Sequence, residues 1–198
     1  MNTNRPAKGS QITVQPITDQ KDIARLKKLL ADRPRDLALF ATGIYTNLRA
    51  SDILSLTVGH VRHLKPGDVL FRFKEKKTQK VRTITINHPV HAAIQALLAT
   101  MPDAQDNEPL FQSRKGKKEL SVSTLNNMVK AWCSEELKLK GNYGSHTLRK
   151  TFGYMHRTVV GTDIPTLMEM FNHSTQKQTL AYLCIQATEI EDAYMKEF

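Results

Sequence analysis

Cysteine is scarce in this chain: among 198 residues only Cys133 and Cys184 occur, far apart and with no Cys-x-x-Cys pair. That spacing excludes a disulfide framework and a cysteine-based zinc site, so both are expected to be buried thiols in a reducing compartment. Nothing resembles a Gly-x-Gly-x-x-Gly turn or a P-loop, which argues against a nucleotide cofactor. No cofactor and no metal are therefore expected. No uninterrupted apolar run approaches the roughly 18 residues of a membrane span, and the N-terminus lacks the apolar core of a signal peptide. A cytoplasmic protein without membrane contact is the expectation. Acidic residues are also in deficit, at 19 against 29 lysines and arginines.

The resulting net charge of +10, with a pI near 9.7, draws polyanions, and nucleic acid is the commonest such partner. Hydrophobic residues make up 40% of the chain and charged residues 24%, the composition of an ordinary globular domain able to bury a core. The length suits one domain and leaves no room for two of full size.

Residues 1–17 are polar, carry Pro6 and Gly9, and read as a flexible leader, with order expected from Thr18. Ile23, Leu26, Leu29 and Leu30 then recur at helical spacing up to Arg33-Pro34. A second helix carries Leu37, Phe40, Ala41 and Ile44, and a short third holds Ile53, Leu54 and Leu56. From Val58 to Ile86 the pattern turns to short β-type runs, Val69–Phe73 and Val81–Ile86, joined by the basic stretch Lys74 to Lys80. That predicts a β-hairpin with a cationic tip. Pro89 opens a helix with Val90, Ala93, Ile94, Leu97 and Leu98 on one face. After a second basic turn, Arg114 to Lys118, Ser121 or Ser123 is placed to cap a helix bearing Leu125, Met128, Val129, Trp132 and Cys133. Later helices carry Leu148, Phe152, Met155 and Val159, then Leu167, Met168 and Phe171, then Leu180 and Leu183, and a last one runs to Phe198. The pattern predicts an α+β fold, mostly helical, with a small antiparallel sheet.

Three segments carry the chemistry: Thr42 to Leu54 around Arg49, Ser145-His146-Thr147-Leu148-Arg149, and Asn172-His173-Ser174 with Tyr182 nine residues after the histidine. In this order they resemble the active-site boxes of the tyrosine recombinase (phage integrase) family, from about Thr18 to the C-terminus. The resemblance implies the fold of that family's catalytic domain and six catalytic residues. Arg49, followed three positions on by the supporting acid Asp52, matches the first arginine. His146 and Arg149 match the His-x-x-Arg box, His173 the later histidine or tryptophan, and Tyr182 the nucleophile. Lys77, followed by Thr78 at the hairpin tip, is the best counterpart of the catalytic lysine, with Lys76 and Lys80 as rivals. Two departures stand out. Phe171-Asn172 replaces the usual Leu-Gly before the histidine, and Asn47 takes the place of a Gly or small residue, with neither expected to touch a catalytic role.

The residue types suit the reaction. A phosphodiester is a stable anion, and two guanidinium groups neutralise its nonbridging oxygens with fixed bidentate geometry. Arg49 and Arg149 would form that clamp. A phenol titrates near 10, so activating one at neutral pH costs about 4 kcal/mol. His146, one turn before Arg149, can act as general base or proton relay, and His173 can hydrogen-bond the phosphate. Lys77, reaching in from a hairpin tip, would protonate the leaving 5′ oxygen. A phosphotyrosyl bond stores the broken linkage, so rejoining needs neither ATP nor a metal.

The resemblance thus implies a site-specific recombinase acting on double-stranded DNA. It also implies a homo-tetramer assembled on that DNA, accessory DNA-bending proteins as further partners, and association with the nucleoid when bound. A type IB topoisomerase and a catalytically silent DNA-binding regulator are the alternatives. Family members usually carry a separate N-terminal domain that clamps the other face of the DNA. Here residues 18–198 are read as the catalytic domain alone, either a fragment or a single-domain member. The apolar stripe Ile190, Tyr194 and Phe198 on the last helix is read as docking either onto a neighbouring protomer or within its own.

Overall fold

A computed structural model describes residues 14–74, 81–113, 116, 118–185 and 187–197, with the backbone alone described at 70–74, 81–82 and 187–190. Lys76, Lys77 and Lys80, Arg114 and Lys115, and Phe198 lie outside the described residues.

Helix α1 (Gln20–Leu29) begins where the Asp19 carboxylate accepts from the Lys21 N–H at 2.7 Å, and it turns Ile23 and Leu26 inward. Helix α2 (Pro34–Thr46) starts on a proline, which lacks the N–H that a first turn leaves unpaired, and Ala38 to Ile44 are all buried. It is the central helix, packed against α5 (His88–Leu98) and α7 (Ser145–Met155). The approach to α7 is close at Gly43, where a Cβ would stand 2.5 Å from Leu148 Cδ1. Only glycine lets the two helices meet there.

Helix α3 (Ala50–Leu54) is followed by α4 (Val58–Val61), a single turn inside the segment expected to be of β type. Its cause is local: the His60 Nδ1 accepts from the Thr57 N–H at 3.0 Å, closing the helix start with a side chain. Strands β1 (Val69–Lys74) and β2 (Val81–Thr85) pair antiparallel, Arg72 opposite Thr83 and Lys74 opposite Val81, with an irregularity between Val69 and Arg72. Helix α6 (Val122–Lys130) is capped by Ser121 and continues as a π-helical stretch, Ala131–Glu136. Helix α7 likewise continues as a π-helical stretch, His156–Val160, that stops at Gly161 with φ 76°. Helices α8 (Ile164–Phe171), α9 (Gln176–Leu183) and α10 (Ala187–Tyr194) complete the chain. Among the described residues the fold is mostly helical with one small antiparallel sheet, as the periodicity predicts.

The main core gathers Phe40, Phe111 and Trp132 with the apolar faces of α1, α2, α5 and α6, and the Phe40 and Trp132 rings meet edge to face at 6.3 Å. A second, smaller cluster of Phe152, Leu167, Phe171 and Leu183 joins α7, α8 and α9, with Tyr182 packed against it. Among the described residues no helix is long and apolar enough to cross a membrane.

Two further expectations need correction. Packing starts before Thr18: Ile17 is fully buried, its N–H donates to Thr151 Oγ1 at 2.9 Å, and the Gln15 N–H donates to the Asn142 carbonyl at 2.8 Å. The tie is to a distant segment, which no local pattern announces. Cys133 is buried as expected, but Cys184 is only half-buried because it caps the end of α9 at the surface.

Candidate active site

Arg149 lies on the third position after His146 in α7, so both side chains leave the same face one turn apart. They differ in exposure: His146 faces solvent, whereas Arg149 is 2% exposed. The Arg149 guanidinium is held from two sides. Its Nη1 donates to the Asn47 carbonyl at the end of α2, and its Nη2 donates to the Phe171 carbonyl at the end of α8, at 3.0 Å. Both carbonyls belong to helix C-termini, where main-chain acceptors lack partners within the helix and the dipole favours a cation.

Each of those helices ends on a non-glycine residue in the left-handed region, Asn47 at φ 56° and Asn172 at φ 55°. At Asn172 the main chain closes a Schellman turn, with the Asn172 N–H donating to Glu169 O and the His173 N–H to Met168 O. Glycine is the usual residue for that position and asparagine the usual substitute, which accounts for Asn47 and for Asn172 in place of glycine.

Tyr182 sits in the last turn of α9, half-buried. The Arg149 guanidinium carbon lies 5.4 Å from the centre of its ring, His173 lies 5.5 Å away between ring centroids, and His146 lies 6.4 Å away. His173 is oriented by two neighbours: its Nδ1 is 3.1 Å from the hydroxyl of the buried Thr179, and its ring stacks on Phe171 at 5.0 Å. Arg149 also lies over the Phe171 ring at 5.0 Å, so this phenylalanine contacts both the cation and the histidine.

Arg49 caps α3 with extended backbone, two residues beyond Asn47, and its Nη1 lies 3.9 Å from Asp52 Oδ2. Asp52 is fully buried. The α9 helix is fixed from behind by Arg157, whose Nη2 donates to the Leu183 carbonyl at 3.2 Å. Of the six residues singled out in the sequence, the structure thus brings His146, Arg149, His173 and Tyr182 together. Arg49 stands on the loop whose carbonyl holds Arg149, and Lys77 lies outside the described residues. Among the described residues no group of three or more His, Cys, Asp or Glu is placed to hold a metal ion.

The model of the phage integrase family matches residues 16–189, most of the chain. The chain belongs to the phage integrase family. A probable integrase/recombinase of Bacillus subtilis (strain 168), YoeC, is 36% identical over 186 residues, covering 91% of this chain and 95% of that protein. The tyrosine recombinase XerC of Rickettsia bellii (strain OSU 85-389) is 27% identical over 81% of this chain, and the match spans 50% of XerC. Among solved structures, the XerA recombinase superposes with a TM-score of 0.76 at 18% identity, covering 98% of this chain and 68% of that one. The XerH site-specific recombinase bound to its palindromic difH substrate gives 0.73 at 16% identity, over 96% and 54%.

In this phage integrase family chain, sequence reasoning missed three groups that hold the candidate site. Thr179 fixes His173, Arg157 fixes the helix of Tyr182, and Asn47, expected to be incidental, supplies an acceptor to Arg149. Thr179 alone carried a signal, as a small polar residue on an otherwise apolar helical face.

Proposed function

We propose that the chain is the strand-cleaving domain of a site-specific DNA recombinase working through a 3′-phosphotyrosyl intermediate. The observation that carries this reading is the convergence on the Tyr182 ring of the Arg149 guanidinium and the His173 and His146 imidazoles. Tyr182 Oη attacks the phosphorus, the bond to the 5′ oxygen breaks, and the phosphate stays on the tyrosine. His146 accepts the phenolic proton, and its solvent-facing position lets that proton pass to water. Arg49 and Arg149 neutralise the nonbridging oxygens, whose charge rises in the transition state. His173 donates to the same phosphate, and Lys77 gives the leaving oxygen its proton. Reversal by a 5′ hydroxyl of another strand reseals the linkage, with one phosphodiester made for each broken.

The +10 net charge supports duplex DNA as substrate, with affinity that falls as salt rises. Family members solved on DNA support the same partner. Several protomers binding together, a tetramer in the full assembly, would supply the affinity that one small domain lacks. Accessory DNA-bending proteins would assist that assembly.

The test is a nicked suicide substrate drawn from the protein's own genomic neighbourhood, followed by denaturing electrophoresis and peptide mapping. The expected adduct maps to Tyr182, and Tyr182→Phe abolishes it while fold and DNA binding survive. An adduct on another residue sinks the assignment. DNA binding with no adduct supports a silent regulator, and relaxation of plasmid without strand exchange supports a topoisomerase.

A further inference from the structure

We infer that Asn47 is a positioning residue that sets the arginine clamp and His173 in register with each other. The inference rests on the function proposed above. Asn47 is fully buried at the end of α2, two residues before Arg49. Its carbonyl accepts from Arg149 Nη1, and its side-chain Nδ2 donates to the Met170 carbonyl at 3.0 Å. The next carbonyl in α8, that of Phe171, accepts from Arg149 Nη2. The contacts form a closed ring, running from the Asn47 side chain to Met170, along the chain to Phe171, across Arg149 and back to the Asn47 main chain.

Two segments more than 120 residues apart are thereby tied by an amide and a guanidinium acting in parallel. One segment carries Arg49 and the other carries His173. A glycine would supply the same left-handed turn and leave the Arg149 bond to the main chain possible, but it has no amide. The side chain is therefore not needed for the turn itself. It stops the two helix ends from sliding apart, and a displacement of about 1 Å between groups that share one phosphate slows chemistry by about 100-fold.

Asn47→Gly keeps the backbone conformation and removes the amide that braces Met170. With the full chain, three readouts are taken: DNA affinity, single-turnover cleavage of a nicked substrate, and hydrogen exchange of the free protein. Cleavage is run on an ordinary phosphodiester and on one with a methylphosphonate at the scissile position, which removes the charge the arginines neutralise. The expected result is unchanged affinity, cleavage of the phosphodiester slowed about 10- to 100-fold, and little slowing on the methylphosphonate. Exchange should rise together in residues 46–50 and 171–175. Equal slowing on the two substrates, no slowing at all, or exchange rising only in 46–50 would overturn the inference. If the unaltered protein forms no adduct, the recombinase reading fails on its own, and the exchange data still decide whether Asn47 ties the two segments.

Discussion

Asn47 and Asn172 adopt the same left-handed backbone, at φ 56° and 55°, at the ends of the two helices whose last carbonyls receive Arg149. One amide differs from the other in use. The Asn47 amide reaches Met170, whereas at position 172 the main chain itself closes the turn. Asn172→Ala should therefore cost about 1 kcal/mol, the strain of a Cβ in the left-handed region, while Asn172→Gly stays close to the unaltered protein. Urea unfolding of both variants checks this, and equal loss in the two would mean that the side chain, not the backbone, matters.

Arg149 combines a structural and a chemical demand. Its two hydrogen bonds to carbonyls need a planar fork, and a lysine ammonium on one flexible stem cannot serve both carbonyls and a phosphate. Arg149→Lys should reduce cleavage by about 10²–10³-fold, the scale of losing one oxyanion-stabilising group. Single-turnover rates at saturating DNA measure it. Cleavage within a few-fold of normal would remove Arg149 from the clamp.

His156 lies against the Phe152 ring at 4.2 Å with its Nδ1 3.1 Å from Thr162 Oγ1, and burial lowers its pKa below the ordinary value. The folded state thus favours the neutral ring. As pH falls through the unfolded pKa of about 6.5, the unfolded chain takes up a proton that the folded chain resists. Stability should drop from that pH downward until the folded pKa is passed. His156→Gln should flatten this part of the profile, measured by denaturant unfolding at pH 8 and pH 5.5. An unchanged pH dependence would show that another group carries it.

The C-terminal helix α10 ends with Tyr194 86% exposed and Met195 82% exposed, two large apolar side chains in water. Solvent exposure of that kind suits a segment that docks on another protomer. Removing residues 188–198 should leave the melting temperature of the free protein nearly unchanged and abolish cooperative assembly on DNA. A large fall in melting temperature with assembly intact would show that the helix packs in cis.

Helix positions were legible because their causes are local. The apolar faces of α1 and α5, the cap at Ser121 and the Pro34 and Pro89 starts each depend on residues within one or two turns. The single turn at Val58–Val61 was not legible, since the capping there comes from a histidine ring, an unusual partner for an N-terminus. The early start of packing at Ile17 depends on Thr151, 134 residues away.

The sequence by itself determined the order and spacing of the chemical groups: Arg49 three before an acid, His146 one turn before Arg149, and Tyr182 nine after His173. Such spacings are local: one helical turn realises the first two, and a short loop followed by α9 realises the third. Tertiary structure alone decided how the groups are held. Arg149 is gripped by carbonyls 102 and 22 residues distant, and His173 is oriented by Thr179 and Phe171. Main-chain carbonyls are common to every residue and carry no mark in a sequence. Which of them stand unpaired at a helix end beside an arginine is settled only when the helices pack.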